Sequence, residues 1–190
     1  MVVSSRSKLI VSVAEKLDID KTVSSSSSSS FPSSLQVTQK ISQSELEAIF
    51  SITRNNMEAI YNACNDAVWQ WNDETKKREL GNLKNRFLIK RLPNDNNEII
   101  GFIVFRFMVD DGLPVAYIWE IQVVDVGRGT GSELMDNFEN FLKQNTAIRK
   151  IVLTVLRNNE KAFRFYEKRG YVIDKTSPKS ACYRILSKSI

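Results

Sequence analysis

Histidine is missing from all 190 residues. Without an imidazole, Ser-His and Cys-His nucleophilic systems and most zinc and iron sites drop out. Any general base must then be a carboxylate, a tyrosine or a water held by one of them. Cysteine is scarce: Cys64 and Cys182 are too few to staple a fold and lack metal-ligand spacing. They read as small, inert hydrophobes, and a reducing, intracellular setting is expected. No metal is expected. No apolar run reaches the roughly 18 residues that suggest a membrane span. The N-terminal stretch has no apolar h-region, and Glu15, Asp18 and Asp20 argue against a transit peptide, so no membrane partner is expected.

What is present is ordinary for a soluble globular chain, with 42% apolar and 26% charged residues, so one domain with its own core is expected. The net charge of +5 suits an acidic ligand such as a CoA phosphate or a nucleic acid, and equally suits a plain basic surface.

Two unequal parts are expected. Residues 1–34 hold a short helix near Ser4–Thr22, with Leu9, Val13 and Leu17 on one face and Ile10 and Ala14 beside them. A serine run, Ser24–Ser30, follows and reads as a linker. That helix is too short to stand alone in water. Residues 35–190 form the second part. Leu35–Ile41 alternates like a strand, and Ser44 with Glu47 predicts a capping box. The helix it opens carries Leu46, Ile49, Phe50, Thr53, Met57, Ile60 and Tyr61 on one side. A helix-like stretch with Trp69, Trp71 and a charged continuation spans Asp66–Leu80. Strands are predicted at Asn85–Leu92, Glu98–Met108 and Val115–Val124, with turns at Pro93–Asn97 and Asp110–Pro114. A glycine-rich loop, Gly127–Gly131, leads into an amphipathic helix, Ser132–Asn145. Then come a strand (Lys150–Leu156), a helix (Asn159–Arg169) and strands near Tyr171–Asp174 and Tyr183–Leu186. Antiparallel strands followed by βαβ predict a mixed α/β sheet.

The loop Val126–Ser132 is the strongest chemical signal. Closely spaced glycines let backbone N–H groups converge, and the following helix adds its positive end, which suits a phosphate. It lacks the lysine of a Walker A loop and the position of a dinucleotide fingerprint, and a plain glycine turn remains the bland alternative.

The glycine loop, a helix, a strand and the segment Asn158-Asn-Glu-Lys-Ala-Phe-Arg-Phe-Tyr-Glu-Lys-Arg-Gly-Tyr171 together resemble the GNAT acyltransferases, from about Leu35 to the C-terminus. Trp69-Gln-Trp71, Phe105-Arg-Phe107, Tyr117-Ile-Trp119-Glu120-Ile-Gln122, Leu153-Thr154-Val155 and Cys182–Ser187 resemble the NatD N-alpha-acetyltransferases, which act on the Ser-Gly-Arg-Gly tails of histones 4 and 2A. The resemblance implies an α/β GNAT fold, a mixed and mostly antiparallel sheet flanked by helices, with an N-terminal helical extension. It implies acetyl-CoA as cosubstrate and Glu120 as general base, with Tyr166 at the general-acid position. Ile121, Gln122 and Val123 would hold the pantetheine, and Gly127, Arg128, Gly129, Thr130, Gly131 and Ser132 the pyrophosphate. Asn159 and Thr176 would add cofactor contacts. Trp69, Asp110, Tyr117, Trp119, Thr154 and Tyr183 would meet the peptide. Three features depart from the pattern: Val126 replaces a leading Gln or Arg in a stretch two residues short, Met108 stands where an acid is usual, and Tyr166 stands where NatD relatives often carry phenylalanine.

The chemistry needs little beyond positioning. A protein α-amine titrates near pH 7.7–8.0, so a useful fraction is neutral at pH 7 and a weak base suffices. A buried glutamate paired with an arginine is the structural alternative for Glu120. Asp110 and Asp111 suit a basic tail or a solvated turn, and Trp69, Trp71 and Trp119 suit either core or pocket. Expected partners are histone N-terminal tails, with no direct nucleic acid contact. A monomer is expected, in the nucleus and cytoplasm, with ribosome association considered. Two alternatives stay open: a GNAT enzyme for lysine side chains or small amines, and a non-catalytic CoA-binding or nucleic-acid-binding module. The aromatics are not interleaved with Lys and Arg as a stacking platform requires.

Overall fold

The computed structural model describes residues 4–16, 34–64, 66–93 and 97–190. The serine run, Leu17 and most of the predicted Pro93–Asn97 turn lie outside them. The elements are α1 (Ser5–Glu15), β1 (Leu35–Thr38), α2 (Gln43–Asn62), a 3-10 turn (Ala67–Trp69), α3 (Asp73–Leu80), β2 (Arg86–Arg91), β3 (Ile99–Asp110), β4 (Leu113–Val123), α4 (Thr130–Asn145), β5 (Lys150–Leu156), α5 (Glu160–Lys168), β6 (Val172–Ile173) and β7 (Tyr183–Ser189). Seven strands form one sheet in the order β1-β2-β3-β4-β5-β7-β6. Every neighbouring pair is antiparallel except β4 and β5. This is the mixed α/β sheet that the sequence predicts.

The sheet is covered on both faces, which is why β3 is apolar from Ile99 to Val109 at every position but Arg106. Its even positions, Phe102 and Val104, join Ile49, Phe50, Leu80, Phe87 and Ile89 in one core under α2 and α3. Its odd positions, Ile103, Phe105 and Phe107, join Leu134, Met135, Phe138, Phe141 and Leu142 of α4, with Tyr166 of α5, in the other. Gly101 lets α4 come close to β3. A Cβ there would stand 3.1 Å from both Leu134 and Thr130 and 3.2 Å from the Gln122 carbonyl oxygen.

Three local expectations change. The capping box of α2 is Ser42 with Glu45, two residues earlier than predicted: Glu45 N–H donates to the Ser42 hydroxyl and Ser42 N–H to the Glu45 carboxylate. The Asp66–Leu80 stretch breaks into the 3-10 turn and α3, because Asn72 caps a new helix by accepting from Thr75 N–H. The third change concerns α1, which docks on the core through Ser7, Val11 and Ala14, while Leu9 and Val13 are 63% and 62% exposed. The inward face is therefore about one residue round from the predicted stripe. Polar ends fix it: Ser7 donates to the Gly112 carbonyl (2.7 Å), and Arg86 donates to the Glu15 carbonyl (2.8 Å). The sequence stripe followed the largest apolar residues, and these two hydrogen bonds chose otherwise.

Burying Val11 is worth about 2 kcal/mol. Val11→Ser should lower Tm by roughly 4–8 °C for a chain of this size, whereas Leu9→Ser should move it little. Calorimetric melts of the two variants check the docking face, and a larger loss for Leu9→Ser would contradict it.

Candidate functional site

Strands β4 and β5 pair only from Ala116↔Ile151 to Ile118↔Leu153 and then part. Just there β4 carries a bulge: Val104 faces Glu120 and Phe105 faces Ile118, leaving Trp119 as the extra residue. The bulge inverts the alternation. Ala116 and Ile118 lie on the α4 side, but beyond it Ile121 and Val123 take that side. Glu120 and Gln122 turn instead toward α2 and α3, in register with Val104 and Phe102. Without the extra residue Glu120 would share a face with Ile118 inside an apolar core. A shift in parity was visible in the sequence, where apolar residues at 116 and 118 give way to 121 and 123.

The parted strands open a cleft of about 790 Å³. One part of its lining comes from Val126, Gly127, Gly129, Gly131, Ser132 and Asn159, and another from Tyr61, Trp69, Tyr117 and Trp119, with Glu120, Thr154 and Tyr166 also in the wall. Gly127 (φ 91°) and Gly129 (φ 83°) are left-handed, which lets the loop turn tightly into α4. Helices α1, α2, α3 and α5 each have a side-chain cap, from Ser4, Ser42, Asn72 and Asn159; α4 has none. Its first-turn N–H groups and positive end therefore face the loop without a side-chain acceptor. Asn158 donates to the Ile60 carbonyl (2.8 Å), tying the start of α5 to α2.

Glu120 is buried, with a defined partner for each oxygen. Oε1 accepts from Gln122 Nε2 (2.7 Å), and Oε2 lies 3.7 Å from Lys76 Nζ. Gln122 Oε1 accepts from Asn56 Nδ2 (2.9 Å). The partner is thus a lysine of α3, not the arginine that the structural alternative proposed. Burial pushes the Glu120 carboxyl above its ordinary range, against the opposing pull of Lys76 and Gln122. Tyr166 is buried, and burial together with nearby Glu120 raises its phenol, so it stays protonated at neutral pH. Tyr117 and Thr154 share a hydrogen bond of 2.5 Å across the β4–β5 gap. The Arg106 guanidinium lies 3.9 Å above the Trp119 ring, which stands 5.6 Å from Tyr117. Trp69 packs on Tyr183 at 5.1 Å and on Tyr61 at 5.9 Å.

Most predicted site residues thus converge on one cleft. Ile121, Gln122, Val123, Gly127, Gly129, Gly131, Ser132, Asn159, Glu120, Tyr166, Trp69, Tyr117, Trp119 and Thr154 all line it. Others do not. Arg128 points into solvent and pairs with Asp125 (3.4 Å), Thr130 opens α4 behind the loop, and Asp110 ends β3 outside the cleft. Tyr183 touches the site through Trp69. Thr176 is misplaced as a cofactor contact. Its N–H and hydroxyl both donate to Asp174, and neighbouring Lys175 pairs with Asp111 (2.5 Å) in the β3–β4 hairpin, at the other end of β4 from the glycine loop. Trp71 is core, packed on Phe50 and donating to Asp73. The polar lining residues that sequence reasoning does not assign to the site include Asn56, Tyr61, Lys76 and Glu79. In the sequence Tyr61 stands on a helix face, and Lys76 and Glu79 fall within the charged continuation after Trp71. Cys64 is buried, and burial, Cys64 and Asp66 push the half-buried Cys182 thiol up to about 12. Among the described residues, no cluster of three His, Cys, Asp or Glu could hold a metal ion, and no helix is long and apolar enough to cross a membrane.

The chain matches the acetyltransferase (GNAT) family over residues 46–171. It is 32% identical over 82 residues to the uncharacterized protein YxbD of Bacillus subtilis (strain 168), a match covering 43% of this chain and 48% of that protein, so the chain spans about half the length of this curated relative. Among solved structures it is similar to PaiA N-acetyltransferase from Thermoplasma acidophilum in complex with coenzyme A. The TM-score is 0.60 at 20% identity, covering 83% of this chain and 99% of that one. Arabidopsis thaliana NAA60 in complex with a bisubstrate analogue gives TM-score 0.57 at 15% identity, covering 82% and 98%. The ribosomal-protein-S18-alanine N-acetyltransferase of Escherichia coli gives 0.53 at 16%, covering 82% and 94%. These likenesses show the fold. The family match spans the α2-to-α5 body that carries the bulge, the glycine loop and the parted strands, and by it this chain belongs to the GNAT acetyltransferase family.

Proposed function

We propose that the chain transfers an acetyl group from acetyl-CoA to the α-amino group of a protein N-terminus, in a ternary complex without an acyl-enzyme. The observation that carries this is the single cleft in which buried Glu120 lies between a glycine loop with an uncapped helix end and an aromatic wall. The loop and the first turn of α4 suit the pyrophosphate, and the unpaired edge of β4 at Ile121–Val123 suits the pantetheine and the thioester oxygen. PaiA, in complex with coenzyme A, has the same fold.

The amine lone pair attacks the thioester carbonyl and its proton passes to Glu120. The C–S bond breaks, and the departing thiolate is protonated through Tyr166, which lines the cleft as a neutral phenol and recovers its proton from the one taken up by Glu120. A carboxyl held above its ordinary range by burial is a better base for an amine than a solvated one. With no histidine in the chain and the Cys182 thiol pushed up to about 12, a covalent intermediate lacks an activated nucleophile.

For the acceptor, the resemblance to NatD enzymes favours a Ser-Gly-Arg-Gly tail, as in histones 4 and 2A. NAA60, a structural neighbour crystallised with a bisubstrate analogue, has the same fold. Trp69 and Tyr183 would wall the peptide, with Tyr117, Thr154 and Trp119 nearer the amine. Asp110 at the hairpin would meet the basic residue in place of an acid at Met108. Action as a monomer in the nucleus and cytoplasm goes with that acceptor. Turnover with acetyl-CoA should be at least tenfold higher on a Ser-Gly-Arg-Gly peptide than on its N-acetyl, lysine-bearing form or on polyamines. Equal or greater rates on the blocked peptide would redirect the reading to side-chain amines.

A further inference from the structure

We propose that Lys76 is a positioning residue that keeps Glu120 ionised, acting from a buried junction it shares with Glu79 and Tyr61; this rests on the acetyl-transfer reading of the cleft.

Helix α3 is charged along most of its length, Asp73-Glu-Thr-Lys-Lys-Arg-Glu-Leu80, and its neighbouring lysine behaves as expected of such a helix. Lys77 pairs with Glu47 at 3.0 Å, with both side chains near half exposed. Lys76 is different: its side chain is 8% exposed, a state that lysine rarely adopts without partners. Its ammonium pairs with Glu79 Oε2 at 2.8 Å, donates to the Tyr61 hydroxyl at 3.2 Å, and faces Glu120 Oε2 across a longer ion-pair distance of 3.7 Å. It also lies 4.9 Å from the Tyr61 ring centre and 5.9 Å from that of Trp71, so the cation is enclosed by aromatic faces.

The groups around Glu120 define what Lys76 does. From α3 come Lys76 and Glu79, from α2 Tyr61, from α5 Tyr166, and from β4 the neutral amide of Gln122. Arg106 of β3 is turned away, donating to Asn85 and to the Glu79 carbonyl. Lys76 is therefore the cation beside two carboxylates. Burial by itself would lower its ammonium, but Glu120, Tyr61 and Glu79 outweigh that and hold it charged. If it is removed, a buried glutamate stands beside a second carboxylate with no cation, and such a group takes up a proton instead of staying ionised. The base would then be switched off near neutral pH while its geometry remained.

The experiment is kcat/KM against pH, with acetyl-CoA and one acceptor peptide, for wild type, K76R, K76M, E120Q and K76M/E120Q, with melting temperatures for all five. K76M should lose about 10–100-fold near pH 7, its acidic limb should move up by about one pH unit or more, and activity should recover at high pH. K76R, which keeps the charge, should restore most of it. In the E120Q background, adding K76M should cost no further activity, because Lys76 acts through Glu120. An unshifted limb in K76M, with E120Q impaired, would make Lys76 a merely structural ion pair and overturn the proposal. Wild-type activity in E120Q would overturn the base assignment itself. The melts decide the pairing independently of turnover. K76M should melt below wild type, and K76M/E120Q should regain part of that loss, since removing both partners of a buried pair costs less than stranding one. Additive losses would show that the pair is not coupled.

Discussion

Replacing Glu120 with glutamine should lower kcat by about 10²–10⁴-fold at neutral pH with little change in acetyl-CoA affinity. The substitution keeps shape and one hydrogen bond. A glutamine Oε1 can still accept from Gln122 Nε2, so the Asn56–Gln122 chain beside the β4 bulge survives. What disappears is the acceptor for the amine proton. The loss should shrink as pH rises past the α-amine's own pKa, where the nucleophile is neutral without help. Acid should hurt the wild type through the same residue, because burial puts the carboxyl's titration above its ordinary range, and protonating it removes the base. Steady-state rates across pH, with cofactor affinity by calorimetry, would check both. A Glu120→Gln enzyme that turns over like wild type would move attention to Tyr117 or a water in the cleft.

The glutamate was legible in the sequence, and the reason it points correctly was not. A charge in an apolar strand singles out position 120, but regular alternation would put it beside Ile118 in the α4 core. The bulge at Trp119 turns it to the other face. Bulges arise from how two strands meet, and their local mark, a parity shift between Ile118 and Ile121, is easily absorbed into a uniformly apolar strand. Lys76 was hidden for a related reason. Within a run of charged residues nothing local separates a solvated lysine from a buried one; the difference comes from α3 docking against Tyr61 and Trp71, contacts remote in sequence. The glycine loop and the helices around it were readable because their signals are local: left-handed glycines, an amphipathic period and caps within a few residues. Even there, α2 starts two residues earlier than predicted, since Ser42 and Ser44 each precede an acid by three positions and only the packed structure chooses between them.

Gly129 carries the second large effect, and its chemistry is conformational. A Cβ added at Gly129 would meet nothing within 4 Å, so space is not the constraint. Its φ of 83° is, and it is the residue from which α4 starts. A β-branched side chain at that angle costs about 1–3 kcal/mol, which the loop would relieve by changing its path. The N–H groups that converge on the uncapped end of α4 would then diverge. Gly129→Val should therefore weaken acetyl-CoA binding by at least about tenfold, roughly 1.4 kcal/mol, while the sheet stays folded. Gly131 supplies the contrast. It is already helical, and an added Cβ would lie 3.6 Å from the Phe165 ring, an ordinary contact. Gly131→Ala should bind acetyl-CoA nearly as wild type does, and should stabilise the first turn of α4 by up to about 1 kcal/mol. The two glycines thus separate backbone freedom from steric room. Titration calorimetry of both variants with acetyl-CoA, beside their melting curves, reads the difference. If Gly129→Val binds the cofactor as tightly as wild type, the phosphate does not sit at this loop.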